Sequence, residues 1–462
     1  MPGRWKSGLA AATLVVALAG CGGSSNDGPS TGGGAGTGAG TTGAVAKPTA
    51  DQTLTIMGFG PGDEIANTRA ELATKAIAPA KVKNPKGAFD GQQFLAAVAA
   101  NKPPDVVYLD RQRLGTYAAK GVFMPLTDCI KNQSIDMSQF RTPAVTEVTY
   151  KGAVYGIPEF FDNRALMIND SVAKAAGVDP SAISTTDWNA LAGQVKQMTK
   201  KSGNKLSVIG FDPKMPEFLP LWAKANGVDL LSADGTKAQL DNPKLVEALD
   251  YAVSLINDQG GWNPFKAFRD TWDFFGAGNE YAKKQTGGFP MEDWYLNVLA
   301  STSPDVKLTV APFTDRQGKP IDWATGMAWA IPRGAKNPEL ACTWAKTMTD
   351  ASSWVAAAKV RAAAAKKNKS PFTGLYTANK AADQQIMADV YRPISPQYDK
   401  AVQTILTLQD SAFSLPASPA GEEFQQIWQD AVNRVLTGEQ TAAEAMGKAQ
   451  DEAQSAIDAA NR

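Results

Sequence analysis

The chain has 462 residues, 44% of them hydrophobic and 20% charged, which gives room for two or more domains with real cores. Lys+Arg and Asp+Glu stand at 46 each, so no basic excess favours nucleic acid. Histidine is absent, which excludes Ser-His-Asp and Cys-His triads and the commonest zinc ligand, and three cysteines are too few for a four-cysteine metal site.

Arg4 and Lys6 precede an apolar stretch at 9–20. A bilayer-spanning helix needs ~20 residues, so a stretch this short reads as an export signal. Its end, Leu18-Ala19-Gly20-Cys21, resembles the bacterial lipobox, in which the Cys sulfur is lipidated and the preceding bond is cut. The alternative is an ordinary secretory signal with an incidental cysteine. Residues 1–20 are therefore expected as signal and Cys21 as a lipid anchor to the outer face of the cytoplasmic membrane. Residues 21–50 are mostly Gly, Ser, Thr and Ala, with too little apolar surface to fold. They predict a tether with an r.m.s. reach of about 30 Å. Outside the cytoplasm, Cys129 and Cys342 are either an oxidised pair or two separate buried thiols.

From Asp51 onward, strand-like and helix-like runs alternate. "LTIMGF" (54–59), "DVVYLD" (105–110), "LSVIGF" (206–211), "KLTVAPF" (307–313) and "MAWAIP" (327–332) read as short strands. Trp188, Leu191, Val195 and Met198 form one helical stripe behind the polar caps Thr185, Thr186 and Asp187. Phe424, Ile427, Trp428, Ala431 and Val435 form another, and Thr441 with Glu444 has capping-box spacing. The alternation predicts an α/β protein with mainly parallel sheets. "GFGPGDE" (58–64) fails the dinucleotide fingerprint, because Asp63 and Ile65 stand where a third glycine belongs. It reads as a turn at the carboxyl end of a strand, where such turns line ligand crevices.

Blocks in order along the chain resemble one family. "KPPDVVYLDRQRLGTYAAKGVFMPLTD" (102–128), "YKGAVYGIPEFFDNRALMIND" (150–170), "TTDWNALAGQVKQM" (185–198), "GGFPMEDW" (287–294), "ATGMAWAIPRGAKNPELACTWAKTM" (324–348) and "LTGEQTAAEAMGKAQDE" (436–452) are similar to segments of the extracellular solute-binding proteins of ABC importers, in the branch of the maltose- and other sugar-binding proteins. The resemblance implies a two-lobe α/β, periplasmic-binding-protein-like fold with a hinge crossed more than once. Its crossings would fall near Ile157-Pro158, near 323–326 and near 414–418. Lobe I would hold 51–157 plus 325–413, and lobe II 158–324 plus 414–462. Both Cys129 and Cys342 would then lie in lobe I, which favours their pairing. The implied partners are a carbohydrate, the permease subunits and, through Cys21, the membrane. A monomer without cofactor or metal is expected.

Sugars are gripped by carboxylates, amides and Arg on hydroxyls, and by flat rings on pyranose faces. Of 11 tryptophans, nine fall between Trp188 and Trp354, which suits stacking, although core burial is the default for any one of them. Asp110, Gln112 and Arg113 follow a strand and are either ligand contacts or helix caps. Asp162, flanked by Phe161 and Asn163, matches an acidic contact of the family; Phe160 and Phe161 are either contacts or core. Asp293 and Trp294 align with a loop whose Trp stacks on sugar. Trp323 sits at the return crossing, Glu217 and Trp222 lie in "MPEFLPLW", and Glu423 opens a helix near the third crossing. Trp188, Trp262 and Trp272 are assigned to packing. Two other readings remain open: the same fold carrying a polyol, polyamine or sugar phosphate, and a lipid-anchored glycoside hydrolase using Asp162 and Asp293 as paired carboxylates.

Overall fold

The computed structural model describes residues 47–462 except 86 and 204. The signal, Cys21 and the tether as far as residue 46 lie outside the described residues. The strands that build the site are β1 (Thr53–Met57), β2 (Lys81–Lys83), β3 (Val106–Asp110), β4 (Gly156–Pro158), β5 (Arg164–Asn169), β6 (Gly288–Glu292), β7 (Leu308–Ala311), β8 (Pro320–Trp323) and β9 (Met327–Ala330). The helices used below are α1 (Glu64–Ala76), α2 (Arg111–Ala119), α3 (Trp188–Met198), α4 (Trp294–Thr302), α5 (Pro338–Thr349), α6 (Ala351–Lys367), α7 (Pro396–Leu408), α8 (Gly421–Leu436) and α9 (Ala442–Ala460).

Two sheets centre two lobes. The first runs β2-β1-β3-β9-β4 and the second β6-β5-β7. Leu54, Ile56, Val106, Ile157, Trp329 and Trp344 share one apolar cluster, and Leu166, Ile168, Trp222, Phe289 and Val310 share another. The helical stripes fall as their spacing predicts. Trp188, Leu191, Val195 and Met198 are the buried residues of α3, whose N-cap Asp187 accepts from two backbone N–H groups. Thr441 and Glu444 form the reciprocal capping box of α9.

Strand direction departs from expectation. β1 pairs in parallel with β2 and β3, but β9 runs antiparallel to β3 and β4, and both partners of β5 are antiparallel. β9 enters the first sheet from the other lobe, so it runs against its neighbours. The stretch 205–208 is a strand, but in a small antiparallel hairpin with 200–202.

The chain passes between the lobes at 159–163 and returns at 324–326. The two passages are joined: Asp162 N–H donates to Thr325 O (3.0 Å) and Thr325 N–H to Asp162 O (3.3 Å). Gly326 has φ +144°, and a Cβ there would meet Phe160 O at 2.4 Å, so only glycine fits between the passages. Beyond α5, α6 packs on α1 of the first lobe and Ala378 buries in the first cluster, whereas α7 lies on β7 and β5 of the second lobe.

Cys129 and Cys342 are joined, with sulfurs 2.01 Å apart, across 213 residues. The bond ties the helix Thr127–Asn132 to α5. Cys342→Ser is expected to cost about 2–5 kcal/mol by releasing so long a loop in the unfolded chain. Urea unfolding of the oxidised wild type against the variant reads this directly; a loss under about 1 kcal/mol would show the bond to be dispensable.

Candidate ligand-binding site

A cavity of about 260 Å³ lies where strand ends and passages from both lobes meet. The turn after β1 supplies Asp63, and the first passage supplies Phe160 and Asp162. Asp293, Trp294 and Asn297 come from the end of β6 and the start of α4, Arg361 from α6, and Tyr376 from the loop at 373–376. A larger groove of about 830 Å³ runs along β1 beside Lys83, Lys102 and Lys336. It draws on the first lobe alone and has no aromatic lining, so the smaller cavity is the better candidate.

Asp63, Arg361 and Asp293 are held from behind. Asp63 is the N-cap of α1 and accepts from Ala66 N–H at 2.9 Å, where the helix end favours an acid. Arg361 reaches across from α6, with Nη2 2.7 Å from Asp63 Oδ2 and Nε on Glu64. Asp293 Oδ2 accepts from Asn163 N–H (2.9 Å) and Nδ2 (2.7 Å). Arg164 lies beneath the passages. Its backbone N–H donates to Asp322 Oδ1 (2.7 Å), and Nη2 donates to Thr325 Oγ1 (3.0 Å) and pairs with Glu292 Oε1 (3.2 Å). Its guanidinium lies 4.1 Å over the Trp323 ring.

The two cavity carboxyls are pushed towards the neutral form. Burial raises Asp162 to about 6, with Arg164 opposing and Glu292 adding to the rise. Burial also raises Asp293 well above the usual carboxylate range, with Asp162 adding and the Asn163 hydrogen bonds opposing. Among the described residues, none donates a hydrogen bond to the Asp162 carboxylate. The cavity thus offers one free carboxyl, one half-satisfied carboxyl, an Arg–Asp pair and the rings of Phe160, Trp294 and Tyr376.

Of the sequence candidates, Asp162, Asp293 and Trp294 meet in this cavity. Phe161 does not: it is fully buried in the first cluster, under the Arg141 guanidinium. Asn163 is also fully buried and positions Asp293. Trp222 is core, its indole N–H on Pro213 O at 2.9 Å, and Trp323 is core beneath Arg164. Glu217 and Glu423 are exposed and lie outside the cavity lining. Asp110 caps α2 through Gln112 N–H (2.9 Å), so the helix-cap reading holds for it, although its charge still reaches Asp162. Gln112 follows it on α2, and Arg113 pairs with Glu422 at the start of α8. These three do not line the cavity.

Asp63, Asn297, Arg361 and Tyr376 also line the cavity and were not among the sequence candidates. "GFGPGDE" signalled the turn that carries Asp63 but not the residue. Arg361 sits in an Ala-rich helix, "VRAAAAKK", which has no local mark of a binding role.

A family model described as bacterial extracellular solute-binding protein matches residues 81–382. The arabinooligosaccharide-binding protein of Bacillus subtilis is 24% identical over 261 residues, 56% of this chain and 58% of that one. The match therefore spans less than two thirds of that relative. The diacetylchitobiose binding protein DasA of Streptomyces coelicolor is 24% identical over 349 residues, 71% of this chain and 74% of that one. Among solved structures, CpMnBP1 with mannotriose bound superposes with a TM-score of 0.71 at 23% identity, covering 87% of this chain and 100% of that one. An ABC substrate-binding protein of Listeria monocytogenes in complex with cycloalternan gives 0.68 at 20%, covering 88% and 100%. These structures share the two-lobe fold.

Proposed function

The chain belongs to the bacterial extracellular solute-binding proteins, and from that premise we propose that it captures a carbohydrate between its lobes and delivers it to the permease of an ABC importer. The observation that carries this is the convergence of Asp162, Asp293 and Trp294 on one interlobe cavity. Hydroxyl groups donate to carboxylates that the protein leaves free, and a Trp face takes the apolar side of a sugar ring. The sugars named for the relatives support the same cargo class. Asp63, Asp162, Asp293, Trp294 and Arg361 are the contacts we assign. The lobes we assign are 51–157 with 325–385, and 158–324 with 396–462. Lipidation at Cys21 would hold the protein at the outer face of the membrane.

Thermal shift of the full chain against neutral sugars, with polyamines, polyols and sugar phosphates as controls, tests the reading. A sugar at about 100 times its Kd stabilises by about 2.7 kcal/mol. Trp294→Ala is expected to weaken binding about tenfold or more. A shift with a charged control alone would replace the cargo and keep the fold. Because Asp162 and Asp293 share one cavity, a hydrolase remains a second reading. Release of nitrophenol from a chromogenic glycoside panel would establish it, and none is expected.

A further inference from the structure

Four large apolar side chains are exposed among the described residues, and two of them touch. Phe275 is 68% exposed and Trp294 38%. Their rings are 6.0 Å apart at the centroids and within 13° of parallel. At that separation two near-parallel rings are offset, like successive treads of a step. Trp294 lines the cavity and Phe275 does not, so the step leads outwards from the cavity mouth. A single exposed apolar residue is ordinary; a pair of parallel rings continuous with a ligand cavity is not explained by core packing. Behind the pair, Tyr295 meets Trp294 edge-on at 84°, and Phe274 touches Phe275 at 6.4 Å. The platform is therefore backed by a packed aromatic cluster. The cavity itself, at about 260 Å³, is smaller than the roughly 300–1,000 Å³ usual for whole-ligand pockets.

We propose that Phe275 is a second sugar subsite outside the cavity, and that the ligand is an oligosaccharide with one ring enclosed against Trp294 and the next resting on Phe275. This rests on the carbohydrate reading above and adds the length of the ligand. No bond is made or broken; the subsite works by covering the Phe275 ring with the apolar face of a sugar.

The test is calorimetric titration of the full chain, wild type and Phe275→Ala, with three ladders: mannose to mannotriose, arabinose to arabinotriose, and glucose to maltotriose. In the ladder that binds, the trisaccharide should bind wild type about tenfold or more tighter than the monosaccharide. Phe275→Ala should remove about tenfold of trisaccharide affinity while leaving monosaccharide affinity within about twofold. Phe275→Tyr should restore the difference, and the melting temperature of both variants should match wild type, since the side chain is largely in water. Equal weakening for every length, or wild-type affinity that does not grow with length, overturns the subsite and leaves the carbohydrate reading intact. No binding to any ladder, with a shift for a polyamine or sugar phosphate, overturns both.

Discussion

Arg164→Met is expected to destabilise the protein by about 3–5 kcal/mol, the range for removing one partner from a buried charge network. The Arg164 side chain is 5% exposed and joins elements that are far apart in sequence. It donates to Asp162 O (3.2 Å) and Trp323 O from one terminal nitrogen, and serves Thr325 and Glu292 from the other. Methionine fills much of the same volume, so the loss measures unpaired groups and not a cavity. It would leave two passage carbonyls, a hydroxyl and the Glu292 carboxylate without their donor in a site shielded from water. Arg164 is also the main charge opposing the rise of Asp162, so its removal would drive that carboxyl further towards the neutral form. Urea unfolding should show a lower midpoint with an unchanged slope. A loss below about 1 kcal/mol would mean the network is no more than a surface-type ion pair. Because both passages hang on this one guanidinium, the variant should also bind ligand more weakly, even though Arg164 is not assigned to the ligand.

Local pattern carried much of the fold. Short apolar runs bounded by Gly, Pro or Asp, such as "LTIMGF" and "DVVYLD", gave β1 and β3, and the 3.6-residue stripe from Trp188 to Met198 gave α3, since a helix buried on one face leaves a period that can be read. The reversal of β9 could not be read that way. Its direction depends on which lobe the chain has just left, and "MAWAIP" has the same composition in either direction. The placement of α7 was hidden for a similar reason: its buried stripe of Tyr398, Ala401, Val402, Ile405 and Leu408 reads the same whichever sheet it covers. Asp162, Asp293 and Trp294 were legible as cavity-lining residues because each lies just beyond or between strands in a segment that carries the family resemblance. The three aromatic residues Phe161, Trp222 and Trp323 were over-read. A large ring next to a candidate acid is more often the packing beneath it, and Trp323 under Arg164 is that case. Arg361 and Phe275 were invisible because their meaning comes from neighbours in space, Asp63 for one and Trp294 for the other.

Asp162→Asn is expected to stabilise the unliganded protein at neutral pH and to abolish binding. Folding raises this carboxyl from 3.8 to about 6, chiefly by burial. At 1.36 kcal/mol per pH unit, that costs the folded state about 3 kcal/mol at most. The sign follows from proton uptake: the folded state holds the proton more tightly than the unfolded chain. The cost is therefore absent below pH 3.8, grows as pH rises, and is complete above about pH 6. An amide has no such cost, so the variant should melt a few degrees higher than wild type at pH 7.5, and the gap should close towards pH 4. Asp293 should benefit as well, because the charge on Asp162 is one of the causes of its own raised pKa. Against this gain, the amide presents one acceptor oxygen where the carboxylate presents two, and it places an N–H₂ group in a site assigned to hydroxyl donors. The stabilising shift given by the bound sugar should disappear. The two results belong together: a carboxylate kept at a cost in stability, with no protein donor, has its use in the ligand it awaits. Melting curves of both proteins from pH 4 to 8, with and without sugar, decide it. A variant no more stable than wild type at pH 7.5, or a gap that widens on acidification, would show that Asp162 is already satisfied in the unliganded protein and serves the fold and not the ligand.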